Sequence, residues 1–205
     1  MRDDTNGLPW TLVNQFASVA HFDFTKVKEL FAAHPALLNT RASWDESAIE
    51  AAAHMGLVPM AEWLADRGFA IATCTGALLG QEGIVKQSLA ADPLSIYERG
   101  AHDIAILAYT SFGKEQAAIA ELLLKAGANV HARCLGVTPL HLAASKGYTD
   151  VGALLTEHGA DVNFPVKQRD GMVTPLATAI RARQPKMEAL FRQHGAQAAA
   201  YGETR

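Results

Sequence analysis

The feature that most constrains this chain is a phrase that returns at a nearly fixed interval. Thr138-Pro139-Leu140-His141-Leu142-Ala143-Ala144 runs through Ser145-Lys146-Gly147 into an apolar stretch ending Leu154-Leu155, and closes on His158-Gly159-Ala160-Asp161-Val162-Asn163. The same close occurs earlier as Leu122-Leu123-Leu124-Lys125-Ala126-Gly127-Ala128-Asn129-Val130, with Gly127 32 positions before Gly159. A third copy opens at Thr174-Pro175-Leu176 and closes at His194-Gly195-Ala196; Thr174 lies 36 positions after Thr138, so this link carries a few inserted residues. A period of this size marks a repeat architecture, in which each unit buries its apolar face only against its neighbours.

Each phrase has a local physical meaning. Thr138 is placed to cap a helix, its hydroxyl accepting from an orphan backbone N–H. Pro139 then occupies the first helical position, where its missing N–H costs nothing. Ala143 and Ala144 are small enough for neighbouring helices to approach closely. Gly147 supplies a tight turn, and Val151, Leu154 and Leu155 recur at helical spacing on the returning helix. Gly159 ends that helix in a left-handed conformation, and Asp161-Val162-Asn163 leads into an extended finger.

This combination of T-P-L-H-L-A-A and G-A-D-V-N resembles the ankyrin repeat, most specifically over residues 122–196. Upstream the pattern is degraded. In Ser47–Leu64, Ala52-Ala53 match Ala143-Ala144, Gly56 matches Gly147, and the following Gly68 matches Gly159. Gly83-Ile84-Val85-Lys86 reads as the turn and second helix of a further copy, shortened before Asp92-Pro93. Residues 102–124 form another, with extra residues around Thr110–Gln116. Trp10–Leu38 is the first, with Lys26–Phe31 in its second helix. The expectation is an all-α solenoid of about six helix pairs with short β-hairpin or extended fingers. It forms a single domain over 1–205, with repeats near 9–43, 44–72, 73–100, 101–132, 133–164 and 165–197, and a polar tail at 198–205. End units need a polar outer side: Arg181, Arg183, Lys186 and Arg192 provide it in the last copy. Trp10, Phe16, Phe22, Phe24 and Phe31 are expected to form the core of an N-terminal cap.

Composition narrows the function classes. Apolar residues make up 49% of the 205 and charged residues 19%, which is a foldable balance. Residues 1–100 carry 7 Lys and Arg against 12 Asp and Glu. The sequence pI is about 6.2, so a dedicated nucleic-acid surface is not expected. Two cysteines 60 positions apart, Cys74 and Cys134, make no disulfide framework and suit a reducing compartment. No apolar stretch approaches a membrane span, and the acidic start lacks the features of a secretory signal. A cytoplasmic, free-standing monomer is expected.

No motif of a nucleophile or phosphate cradle is present; Thr75–Gly80 fits a degraded repeat start better. No cofactor or metal is expected, because His131, Cys134 and Cys74 complete no ligand set. His21, His34, His54, His102, His158 and His194 are scattered. His141 is read as structural, bonding near its helix start and hairpin, as the resemblance implies. Asp45, Glu46 and Glu50 read as a solvated helix start.

The resemblance implies a non-enzymatic module that binds a protein or peptide through finger tips and the exposed face of the first helices. Carried over by alignment, the contact residues are Trp44, Glu46, His54 and Met55, then Leu135, Ser145 and Lys146, then Arg169 and Asp170 of the long finger, with Met172 beside them, and Arg181. The alternative is a small-molecule binder or enzyme using an irregular pocket around residues 72–116. That region lacks T-P-L-H and holds Tyr97, His102, Asp103 and Tyr109.

Overall fold

The computed structural model describes residues 5–169 and 171–197. Twelve α-helices follow one another among them. They are α1 (Trp10–Val19), α2 (Phe24–Ala33), α3 (Ala48–His54), α4 (Val58–Ala65), α5 (Thr73–Leu79), α6 (Glu82–Ala91), α7 (Ile106–Tyr109), α8 (Ala117–Lys125), α9 (Pro139–Lys146), α10 (Thr149–Glu157), α11 (Pro175–Arg181) and α12 (Pro185–Gln193). Two small antiparallel hairpins pair β1 (Arg99–Gly100) with β2 (Ile104–Ala105), and β3 (Val166–Gln168) with β4 (Gly171–Val173). Single antiparallel bridges close two further fingers, Arg41 to Ser47 and Cys134 to Val137. The result is a mostly helical repeat array.

The odd-numbered helices form one continuous row: α1 packs on α3, α3 on α5, α5 on α7, α7 on α9 and α9 on α11. The residues facing along this row are small. Ala51, Ala52, Ala77, Ala108, Ala143, Ala144 and Ala179 are all completely buried. The second row, α6 to α8 to α10 to α12, covers the first from behind. Val85, Ile119, Leu123, Val151, Leu155, Met187 and Phe191 fill the space between the rows, in one apolar cluster that runs from Val13 to Phe191.

Asparagines repeat a bond from one unit to the next. Asn6 donates to the carbonyls of Ala36 and Leu38, Asn39 accepts from the Ala70 N–H, and Asn163 bonds Gly195 and Gln197. The sequence separations of these bonds, 30 to 34, are one repeat length.

His141 is a structural tie between units. Its Nε2 lies 3.1 Å from the Val173 carbonyl on β4 of the following finger, so Nε2 carries the proton and donates. Nδ1 then accepts from the Thr138 hydroxyl at 2.8 Å. Thr138 is therefore not the backbone cap that its position in the sequence suggests: its hydroxyl is committed to His141, and α9 has no side-chain N-cap bond. Thr174, with Ala177 three residues on instead of a histidine, does cap its helix, accepting from the Ala177 N–H at 3.2 Å.

The middle of the array departs from the expected pattern differently from the way the sequence suggests. The shortened helix is α7, with four residues, whereas α6 runs for ten. Residues 110–116 fold inward instead of extending α7. Gln116 donates to the Leu78 carbonyl at 2.8 Å, Glu115 accepts from the Asp150 and Val151 N–H groups at the start of α10, and Tyr148 donates to the Gly113 carbonyl. A Cβ at Gly56 would meet the Phe112 carbonyl oxygen at 2.8 Å, so this inserted turn sits directly on the α3–α4 turn.

The ends differ from each other. Arg181, Arg183, Lys186 and Arg192 are exposed, as a polar end unit requires. At the other end, Phe16 is buried, and Phe24 and Phe31 meet Trp63 edge-on, with ring centroids 5.8 and 6.0 Å apart. Trp10 and Phe22 are not part of that core; both are exposed, because they fall on the side of α1 and its following turn that has no neighbour.

Three outcomes follow. Gly56→Ala forces a positive φ of +69° on a Cβ that also strikes backbone, so it is expected to cost about 2–3 kcal/mol in denaturant unfolding. Gly68→Ala, at φ +87° with open space around it, should cost only about 1 kcal/mol. Burial holds the His141 imidazole below its ordinary value, opposed by the Val173 carbonyl and assisted by Arg133. Below about pH 6.5 the unfolded chain takes up a proton that the folded one refuses. This contribution to stability is therefore complete above that pH and is lost as pH falls toward the folded value. An NMR titration of His141 should give a midpoint below about 6.5; a midpoint above it would contradict the assigned bonding.

Candidate functional site

The finger before α3 begins the site. Its backbone reverses between Arg41 and Ser47, with Asp45 at a φ of 62°. Arg41 Nε binds Asp45 Oδ1 at 2.6 Å, and its Nη2 reaches Glu50 Oε2 at 3.0 Å. Ser47 and Glu50 form a reciprocal capping box that starts α3. Glu50 is thus the helix-start acid that the sequence suggests, but Glu46 is not: it is only 5% exposed and points inward.

Four side chains converge around Glu46. Its Oε2 accepts from the Trp44 indole N–H at 2.9 Å and lies 3.4 Å from His21 Nε2. Its Oε1 lies 2.9 Å from His54 Nδ1, yet that nitrogen is aligned on the Glu50 carbonyl at 3.2 Å, so Oε1 is buried without an aligned hydrogen-bond donor. His21 Nδ1 is engaged in the same way by the carbonyls of Ala17 and Ser18, at 3.0 and 3.1 Å. The His54 ring contacts the His21 ring edge-on at 4.9 Å and the His102 ring at 4.5 Å. His102 sits between β1 and β2 with a φ of 56°, followed by Asp103 at 59°, and this double left-handed step carries its ring over the cluster. One donor atom from each of His21, Glu46, His54 and His102 lies within 4.8 Å of the others. Burial pushes the Glu46 carboxyl up, but the contacts from His54 and Trp44 and the charge of both nearby imidazoles outweigh it and hold the group below the ordinary carboxylate range.

Beside this cluster lies a cavity of about 480 Å³, a size that holds a small molecule. Arg41, Trp44, Glu50, Glu98, Arg99 and Tyr109 contribute to its wall, and Glu46 and His102 belong to both cavity and cluster. The cavity lies between the Arg41–Ser47 finger, the starts of α3 and α5, and the β1–β2 hairpin. Cys74 and Tyr109 form the floor and are protonated at neutral pH: burial, reinforced by nearby acidic charge, raises both. Cys134, in another finger, is pushed up to about 11 by burial. Neither thiol has the electropositive, accessible setting of a reactive one.

The residues expected to bind a partner divide into three groups. Trp44, Met55 and Leu135 are large apolar side chains held about half or more in solvent, at 49%, 51% and 69% exposure. Ser145, Lys146, Arg169 and Arg181 are exposed on α9, on the long finger and on α11. Glu46 and His54, by contrast, are buried against each other and present no surface; the alignment placed them at outward positions, but the finger turns them toward His21. Asp170 lies outside the described residues. Trp44 is both half-exposed and tied back to its own finger through Glu46. Of the alternative pocket's residues, His102 and Tyr109 line the cavity, whereas Tyr97 is exposed and Asp103 is paired with Arg99 at 3.2 Å.

A family model for ankyrin repeats, in three copies, matches residues 104–201. A serine/threonine-protein kinase, VIK, of Arabidopsis thaliana is 38% identical over 92 residues, 44% of this chain and 20% of the kinase. The human ankyrin repeat and KH domain-containing protein 1 is 51% identical over 51 residues, 24% of this chain and 2% of that protein. Residues 104–201 of the chain thus carry ankyrin repeats. It spans a fifth or less of the length of these relatives. No helix among the described residues is long and apolar enough to cross a membrane.

Burial of Cys74 and Cys134 makes a direct prediction. In the folded chain a disulfide-exchange reagent should label neither thiol within the time that a free thiol reacts fully, and denaturant should release both. Rapid labelling of the native protein would mean that the cavity floor opens.

Proposed function

We propose that this chain is a protein-binding module that grips a folded protein or peptide with its finger tips and the exposed ends of its odd-numbered helices. The twelve helices are read as six consecutive repeats, with α7 and α8 the irregular fourth. The observation that carries the proposal is the placement of exposed apolar side chains. Trp44, Leu135 and Met172 are on fingers, Met55 follows α3, and Ile180 lies on α11. Large apolar groups in solvent along one functional edge of a repeat array suit an interface core. Lys146, Arg169 and Arg181 give the C-terminal half of that edge a basic rim. Ankyrin repeats are generally protein-interaction modules and typically non-enzymatic, which supports the same reading.

A second reading rests on the cavity of about 480 Å³, whose walls mix paired charges with the Trp44 and Tyr109 rings. Such a lining suits a small polar metabolite. The two readings separate on whether the chain retains a protein or binds a metabolite.

With the intact chain as bait in native cell extract, a partner that uses the edge is retained by the wild type and lost by Trp44→Ala/Arg169→Ala. Loss of a central aromatic anchor is worth about 2 kcal/mol or more, roughly a thirtyfold weakening. Equal retention by the variant would refute the edge. If no protein is retained and a metabolite raises the melting temperature, the cavity reading replaces it.

A further inference from the structure

Glu46, with His21, His54 and His102, is an arrangement that neither protein binding nor the packing of the repeats requires. A carboxylate that is 5% exposed, with one oxygen lacking an aligned donor, is costly to bury. The chain nevertheless directs three imidazoles at it from three separate places: the turn after α1, the end of α3, and the tip of the β1–β2 hairpin. His102 reaches it through a backbone conformation uncommon for any residue but glycine.

We propose that His21, Glu46, His54 and His102 bind one divalent first-row transition-metal ion of the zinc type. Three nitrogen donors and one carboxylate suit Zn²⁺, Co²⁺, Ni²⁺ or Fe²⁺. Mg²⁺ and Ca²⁺ require mostly oxygen ligands, and Cu(I) prefers sulfur. Ligands about 2.0–2.2 Å from a tetrahedral ion stand roughly 3.3 Å apart. The 3.4 Å contact of His21 Nε2 with Glu46 already matches this, and the remaining separations, within 4.8 Å, close by side-chain rotation.

The surrounding bonds are those of a prepared site. His21 and His54 each direct Nδ1 at carbonyls of their own helix, an arrangement that fixes the ring and leaves Nε2 with its lone pair. The Trp44 indole N–H holds Glu46 from the other side. His102 is exposed, so it closes the site from the rim and allows an ion to enter. Glu46 and His102 also line the neighbouring cavity, which places the ion beside a space able to admit a small ligand. Bound metal would join the hairpin at His102 to α1 and α3, and so tie the irregular middle of the array to its N-terminal units.

The test uses the full chain without a histidine tag, stripped with chelator and titrated with ZnCl₂ by calorimetry. A parallel CoCl₂ titration is followed by visible absorption. The expected result is one equivalent of Zn²⁺ bound, an intense tetrahedral cobalt spectrum, and no displacement by excess Mg²⁺. His102→Ala, on an exposed turn where folding is not at risk, should weaken Zn²⁺ at least tenfold and lose the cobalt bands, with unchanged circular dichroism. His34→Ala, an exposed histidine outside the cluster, should bind as wild type. Zn²⁺ should also raise the melting temperature of wild type and not of His102→Ala. Absence of stoichiometric binding would overturn the proposal, as would a His102→Ala variant that binds as tightly as wild type.

Discussion

The close approach of the odd-numbered helices is the constraint on which the rest of the structure depends. Each helix of that row is ten residues or fewer, too short to be stable alone in water. Each becomes stable because Ala51, Ala52, Ala77, Ala108, Ala143, Ala144 and Ala179 let it lie directly against its neighbour while the second row of helices seals the back. Stability in such an array is a property of interfaces, not of units. The Asn bonds and the His141–Val173 tie then link neighbouring units at both ends of the array.

The same stacking explains why a disturbance in one unit creates a site. Shortening α7 to four residues leaves a gap that the chain fills with residues 110–116. At the other end of the same unit the β1–β2 hairpin walls the cavity and carries His102 back to α3. The irregularity is held by bonds of its own: Gln116 to Leu78, Glu115 to the start of α10, and Gly56 pressed against Phe112. It is a built feature of the array and not a fraying of it. The proposed interaction edge meets the polar cluster at the Arg41–Ser47 finger, where Trp44 has its ring half in solvent and its N–H on Glu46.

Much of this was readable from residues alone. T-P-L-H-L-A-A and G-A-D-V-N place α9 and α10 closely, since proline, the small residues and the left-handed glycines each act within a turn or two of chain. The structural role of His141 was legible for the same reason, although its partner Thr138 could not be assigned. Whether a hydroxyl bonds a backbone N–H or an imidazole depends on where the ring is pulled, and the Val173 carbonyl, 32 residues away, pulls it. Trp10 and Phe22 were misplaced in the core because aromatic character indicates a preference for burial and not which neighbour exists to bury it.

The sequence by itself determined the repeat, the helical units, the polar outer side of the last unit and the likeness to ankyrin repeats. All of these are local patterns, set by backbone geometry and by side-chain spacing along a helix. Only the tertiary structure decided which distant side chains meet. His21, Glu46, His54 and His102 stand in no ligand spacing along the chain, and their encounter follows from helix stacking, an inward-turned finger and a left-handed hairpin tip. The cavity likewise belongs to no segment; it is the space enclosed by one finger, the starts of two helices and a hairpin from three separate stretches of chain. Contacts of this kind are set by the sum of many packing distances along the array, and no short stretch of sequence records that sum.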